Sequence, residues 1–159
     1  MSQNIIEVRN VVKNFSTGAL EVAVLNGVTL NIQPGEFVAI VGASGNGKST
    51  LLNMITGIDH PSSGEVIVAG QKLSDLNENQ LAAWRGKHLG VVFQFFQLLP
   101  ALNILQNVIL PMDFLRNLQP KQRRERAQHL LELVGLSDQM NKLPSQVSGG
   151  QQQRAAIAR

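Results

Sequence analysis

The stretch of this chain best suited to chemistry is Gly42-Ala43-Ser44-Gly45-Asn46-Gly47-Lys48-Ser49-Thr50. Glycine at 42 and 47, then lysine and serine, complete the pattern of a phosphate-cradling P-loop. The residue types follow from the task. Glycines let successive backbone N–H groups turn inward around phosphate oxygens, where a Cβ would block the approach. Lys48 brings a point charge toward the β and γ phosphates, and the Ser49 hydroxyl is placed to bind Mg²⁺. The helix N-terminus behind them adds its partial positive charge. A chance glycine turn is the competing reading, and it would need no particular elements on either side. The loop by itself does not separate kinases, GTPases, motors and transporters.

The flanking elements supply the context the pattern requires. Phe37-Val38-Ala39-Ile40-Val41 is a continuous apolar run, the pattern of a strand buried on both faces. Leu51-Leu52-Asn53-Met54-Ile55 stops at Gly57 and suits a helix of two to three turns. Ile5–Val12 and Val22–Ile32 are rich in β-branched residues and bounded by turn residues, so both read as strands, as does Glu65–Ala69 after the turn at His60–Gly64. A short helix around Glu78–Trp84 leads to a predicted strand, Leu89-Gly90-Val91-Val92-Phe93. Leu81, Trp84 and His88 fall at helical spacing, so Trp84 reads as packing. After Gln94 the character changes. Asn103–Leu110 and Pro120–Val134 read as helices, the second with proline at its start and Gly135 just past its end. The expected fold is therefore α/β: a P-loop core with a β-rich N-terminal part and a helical insert. The expected divisions are 1–94, 95–147 and 148–159.

Bulk composition agrees with one α/β domain. Of 159 residues 43% are hydrophobic and 16% charged, and the formal net charge is +3. The dense positive charge lies at Lys121, Arg123, Arg124 and Arg126, which reads as a solvated face, with anionic lipid heads as the rival partner and no nucleic acid expected. There is no cysteine, hence no disulfide framework or thiolate metal site. His60, His88 and His129 lack ligand spacing and are expected to be structural. The first residues carry neither a basic leader nor an apolar run, so no secretory signal is expected. Val91–Leu115, the most apolar region, is interrupted by polar residues and two prolines, so it is not expected to span a bilayer.

A second motif chooses among the P-loop classes. Val147-Ser148-Gly149-Gly150-Gln151-Gln152-Gln153-Arg154 places a serine N-cap and two glycines ahead of an unbroken helical run. Free N–H groups at such a helix start make a second anion site. An ordinary capped helix is the bland alternative, but here the serine lies one hundred residues after Lys48. At this point the chain resembles the ATP-binding subunits of ABC transporters, over essentially its whole length. The match is to the signature Leu-Ser-Gly-Gly-Gln, with Val147 in place of the leucine. Phe15 sits where the family places an aromatic, usually tyrosine, that stacks on adenine; plain core packing is its competing role. Gln94 resembles the Q-loop glutamine that contacts Mg²⁺ and the attacking water, against the alternative of a polar strand end without a role. Phe95-Phe96-Gln97-Leu98-Leu99-Pro100 through Asn107-Val108 is similar to the subgroup serving lipoprotein release and macrolide export.

The resemblance implies a mechanism. Two such domains, here a homodimer, pair head to tail around two ATP molecules with Mg²⁺. Each nucleotide would be held by Gly42–Thr50 of one subunit and the Ser148–Gln151 region of the other, with Lys48 and Gln94 serving catalysis and Ser49 and Gln94 the metal. Closure and reopening would drive an integral-membrane permease, with the ATPase peripheral on the cytoplasmic face. The family continues after the signature helix with an apolar strand ending Asp-Glu. No such stretch occurs in these residues, so the chain is expected to be part of a longer protein and inactive alone. A soluble ABC ATPase of DNA repair or translation is one alternative, and a non-hydrolytic regulator another.

Overall fold

The computed structural model describes residues 4–18, 20–115 and 118–159. The chain gathers into two compact units, Met1–Arg85 and Gly86–Arg159.

The first unit is built on a four-stranded antiparallel sheet in the order β2-β1-β3-β4. Its strands are β1 (Ile6–Thr17), β2 (Leu20–Ile32), β3 (Ser63–Val68) and β4 (Gln71–Lys72). β1 lies centrally and pairs Val8 with Leu30 on one side and with Val66 on the other. Its register shifts near Asn10, which has φ 47° and is held by Thr29: the Asn10 N–H donates to Thr29 Oγ1 at 3.0 Å. Such a bulge bends the strand without losing its partner. β-branched residues alternate across the strands, and one face buries Val8, Val11, Val66 and Val68. Helix α1 (Lys48–Ile55) contributes Leu51, Met54 and Ile55 to this unit's core, and Leu81 and Trp84 are buried from α2 (Glu78–His88). Trp84 is thus a packing residue, as its spacing predicts.

The second unit is helical. It contains α3 (Ile104–Leu115), α4 (Pro120–Leu133) and α5 (Gly149–Ala158). Ile104, Leu105 and Val108 meet Ala127 and Leu131, and Leu136, Val147, Ala155 and Ala158 close the cluster. Gln and Asn recur at helix starts for a reason. Asn77 with Gln80 and Asn103 with Gln106 exchange reciprocal backbone-to-side-chain bonds of 2.8–3.0 Å, capping α2 and α3. The sequence reading ends α3 at Leu110, before Pro111. Instead the helix runs to Leu115 with Pro111 inside. A proline forfeits one hydrogen bond and crowds the preceding turn, and the packing of α3 on α4 offsets that loss.

Two expected strands are corrected. Neither residues 37–41 nor residues 89–93 join a ladder among the described residues. Phe37 is 98% exposed, Val41 86% and Val38 49%, so the run predicted to be buried on both faces is largely exposed. The physical reason is pairing: an apolar run becomes a buried strand only when neighbours satisfy its N–H and C=O groups on both edges.

Candidate functional site

In the first unit, the loop from Gly42 to Gly47 turns directly into α1. Asn46 N–H meets Ala43 O at 3.4 Å, and Leu51 N–H donates to Gly47 O at 2.8 Å as the first helical bond. Gly47 is the N-cap, at φ 74° and ψ 8°. Two separate constraints demand glycine there. The φ is left-handed, and a Cβ would stand 2.9 Å from the Val24 carbonyl oxygen and 3.0 Å from Leu25 Cδ2. The loop is thereby pressed onto β2. Gly45 is different: its φ is 84°, but nothing lies within 4 Å of its would-be Cβ, so only the backbone angle needs glycine.

The start of α1 carries no side-chain cap, unlike α2, α3 and α5. The N–H groups of Lys48, Ser49 and Thr50 therefore have no acceptor within the helix. The Lys48 side chain folds back over the loop, its Nζ donating to Gly42 O at 2.9 Å and Ala43 O at 2.7 Å. Donors, a cation and an exposed Ser49 hydroxyl thus share one exposed, uncapped loop. This set fits a phosphate group, which supplies the acceptor oxygens the helix start lacks. A cation bound to that phosphate would find an oxygen ligand in Ser49.

Phe15, opposite Val22 on β1, is 42% exposed, more than a core side chain would be. The Lys13 ammonium stands 5.0 Å from the ring centroid. Lys13 is itself anchored, donating to Asp59 Oδ1 and to His60 O, each at 2.7 Å. Asp59 in turn accepts the His60 N–H, and its carboxyl sits below the usual range, chiefly because of the Lys13 hydrogen bond, with burial opposing. His60 pairs through Nε2 with Glu78 Oε1 at 2.8 Å, a structural contact of the kind expected for it.

In the second unit, Ser148 is the N-cap of α5. Its Oγ accepts the Gln151 N–H at 3.3 Å, while Gln151 Oε1 accepts the Ser148 N–H at 2.8 Å. This capping box occupies the side chains of both residues. It leaves the N–H groups of Gly149 and Gly150 without intrahelical partners, on an exposed turn where neither glycine's Cβ position meets any atom within 4 Å. Val147, just before the cap, is 8% exposed and packs in the helical core. Its requirement is apolar bulk, which valine meets as leucine would. Gln152 ties the helix start down by donating to Pro144 O at 2.9 Å.

Gln94 is exposed in a turn closed by Phe96 N–H to Phe93 O at 3.0 Å. Two residues to which the sequence reading gives no individual role hold this region. Arg159 Nη1 donates to Gln97 O at 2.6 Å and Nη2 to Phe96 O at 3.0 Å, and burial lowers the pKa of its guanidinium. Asn107, 0% exposed, accepts the Leu99 N–H at 2.7 Å and donates to the carbonyls of Leu99, Leu102 and Asn103 at 2.9–3.1 Å. An asparagine on the apolar stripe of α3 is a signal of such a network. Arg159 carries no comparable signal, because its acceptors are backbone atoms more than sixty residues earlier.

The cluster of basic residues on α4 divides. Arg123 pairs with Asp113 and Lys121 approaches Glu125 at 4.0 Å, whereas Arg124 and Arg126 are exposed.

Comparison with known proteins gives this arrangement its context. A family model described as "ABC transporter" matches residues 25–159. The chain belongs to the ABC transporter family. It is 48% identical over all 159 residues to a macrolide export ATP-binding/permease protein MacB of Burkholderia pseudomallei, of which it covers 24%. It is 46% identical over the same length to the lipoprotein-releasing system ATP-binding protein LolD of Saccharophagus degradans, covering 69% of that protein. The expected likeness to macrolide-export and lipoprotein-releasing systems is borne out. Among solved structures, the dimeric ATP-binding cassette MJ0796 in a post-hydrolysis state with ADP and Pi superposes with a TM-score of 0.90 at 43% identity. That match covers 96% of this chain and 67% of the other. The α/β cassette fold is thus that of the ABC ATPases. The chain spans about a quarter of the macrolide export proteins it matches and about two thirds of the lipoprotein-releasing one. No helix among the described residues is long and apolar enough to cross a membrane.

Proposed function

We propose that this chain is the ATP-binding part of an ABC transporter ATPase whose binding and hydrolysis of ATP drive export or release of a substrate through a membrane permease. The observation that carries the reading is the presence, in one chain, of two exposed helix starts with unpartnered N–H groups: one beneath Lys48, one at Gly149-Gly150. The first takes the nucleotide's phosphates, with Lys48 leaving its loop carbonyls for the β and γ oxygens. The second is shaped for the γ-phosphate held by another copy, so a head-to-tail homodimer uses both. The ADP and Pi named for the dimeric MJ0796 cassette, and the ATP-binding names of MacB and LolD, support the same assignment.

Phe15 offers a ring face to adenine. Ser49 would offer Mg²⁺ its hydroxyl oxygen and Gln94 its side-chain oxygen in the nucleotide-bound protein, where the metal would neutralise charge on the phosphates. Gln94 also orients the attacking water. Residues 95–147 form the helical part that meets the permease, which places the protein peripherally on the cytoplasmic face of the membrane. Gln151 contributes through its cap, holding Ser148 and the two glycine N–H groups in place.

The test compares Lys48→Ala and Ser148→Arg in the full-length protein, reading nucleotide binding by titration and dimerisation by light scattering with ATP. Lys48→Ala is expected to lose binding or turnover. Ser148→Arg is expected to bind ATP as a monomer yet fail to dimerise, because a bulky cation fills the γ-phosphate's place. Equal loss of monomer binding in both variants would sink the head-to-tail sandwich.

A further inference from the structure

Arg159 follows the last turn of α5, and its guanidinium reaches the turn that carries Gln94. Its two terminal nitrogens take the carbonyls of Phe96 and Gln97 at 3.0 and 2.6 Å. Those carbonyls belong to consecutive non-glycine residues at φ 56° and 52°. Side chains of L residues crowd the backbone in that region, so one such residue is uncommon and two in succession need external support. The support comes from the planar fork of Arg159, which fits two adjacent carbonyls as a flexible ammonium does not. The fork also has a firm mount. α5 buries Ala155, Ala156 and Ala158, and its start is fixed by the Ser148–Gln151 cap.

We propose that Arg159 is a positioning residue for Gln94: by gripping the Phe96 and Gln97 carbonyls from the end of α5, it holds the left-handed turn that aims the Gln94 side chain. This rests on the assignment of Gln94 to metal and water made above. Without the fork, residues 96 and 97 relax toward ordinary φ values, and the turn closed by Phe96 N–H to Phe93 O opens. The exposed Gln94 then samples many orientations, while the P-loop keeps its own geometry.

The experiment uses the full-length protein with Arg159→Met, Arg159→Lys and Gln94→Ala, measuring kcat and KM for ATP and amide hydrogen exchange. Arg159→Met is expected to keep KM within about twofold and lower kcat at least about tenfold, since it removes orientation rather than nucleotide binding. The Phe96 amide should exchange faster while the amides of α5 stay protected. Gln97→Asn added to Arg159→Met should recover part of kcat, because asparagine tolerates positive φ. If Arg159→Met does not fold, Arg159→Lys carries the same readouts, with a single donor point in place of the fork. Unchanged kcat in the arginine variants beside a crippled Gln94→Ala would overturn the positioning role alone. Loss of α5 protection together with turnover would make Arg159 a helix support, which also overturns it. Wild-type turnover in Gln94→Ala would instead remove the role given to Gln94, and the proposal with it.

Discussion

The Lys13 ammonium lies 5.0 Å from the centre of the Phe15 ring, held there by Asp59 at 2.7 Å. A cation on one face of the ring leaves the other for a planar base and steadies a side chain that is otherwise 42% exposed. Phe15→Ala is expected to weaken ATP binding by roughly 1–3 kcal/mol, the scale of one base–aromatic stack. Phe15→Tyr should be near neutral, because the π face survives. Lys13→Met should weaken binding less than Phe15→Ala, by a fraction of the cation–π scale of about 0.5–1 kcal/mol at exposed sites. Titration calorimetry on the four proteins decides it: equal damage from alanine and tyrosine would make Phe15 a packing residue.

The Lys13–Asp59 pair also predicts a pH dependence. The hydrogen bond from Lys13 is the largest cause holding the Asp59 carboxyl below its ordinary range, with burial opposing and the His60 N–H assisting. A depressed folded-state pKa means the unfolded chain binds the proton first as acid is added. The stabilisation is therefore complete above the unfolded carboxylate pKa and is lost as pH falls through the folded one. Because the pair is partly exposed, with Asp59 at 34% and Lys13 at 13%, its worth is at most about 1 kcal/mol. Urea unfolding of wild type and Asp59→Asn should differ by that amount near neutral pH and converge in strong acid. A gap that widens on acidification would reverse the sign and reject the account.

Much of the cassette was legible in the residues because its signals are local. The left-handed φ of Gly47, the Ser148 cap and the Gly135 stop (φ 67°) each rest on backbone angles or on side chains within four positions, although the close approach of Gly47 to Val24 and Leu25 does not. The β-branched runs likewise marked β1, β2 and β3, though β1 extends to Thr17 through a bulge that pattern alone does not mark. Strands at 37–41 and 89–93 were misread because apolar content reports a preference for burial, whereas a strand needs partners on its edges. Arg159 was missed for the opposite reason: its chemistry is made by two carbonyls, and every residue has one. The short strand β4 offered only Gln71 and Lys72, too few residues for a pattern.

Asn107 should be a larger determinant of stability than any surface pair. Its amide satisfies the Leu99 N–H and three carbonyls with no access to water. Asn107→Leu keeps the bulk but orphans the Leu99 N–H and the Leu102 carbonyl, each costing about 1–3 kcal/mol unless the loop shifts to reach water, while the Leu99 and Asn103 carbonyls keep the backbone N–H groups of Leu102 and Asn107. The expected loss is about 2–4 kcal/mol, read from urea midpoints. Asn107→Asp should be at least as damaging near neutral pH, since a carboxylate has no donor for the carbonyls of Leu99, Leu102 and Asn103. A midpoint unchanged in both variants would mean that the loop around residue 99 finds other partners.

Residues 37–41 set the last expectation, for residues 1–159 made on their own. Phe37 and Val41 are 98% and 86% exposed, and Val38, at 49%, extends the apolar run. An unpaired apolar segment with free N–H and C=O groups is a template for pairing between chains. The segment should therefore self-associate, and Phe37→Lys should reduce that by placing charge on the template. The same segment should not turn over ATP. Phosphoryl transfer to water needs the γ-phosphate clamped and the water positioned, and absence of a positioned carboxylate lowers the rate by a factor of about 10²–10⁴. No apolar run ending Asp-Glu occurs in these residues, so the clamp and Gln94 are expected to act without a carboxylate beside the water. The clamp's affinity should also be weak, because the loop at Gly42 hangs on the unpaired run before it. A phosphate-release assay on the segment beside the full-length protein, each with its Lys48→Ala control, is the measurement. Comparable Lys48-dependent rates from both would show that an acidic side chain already in these residues positions the water.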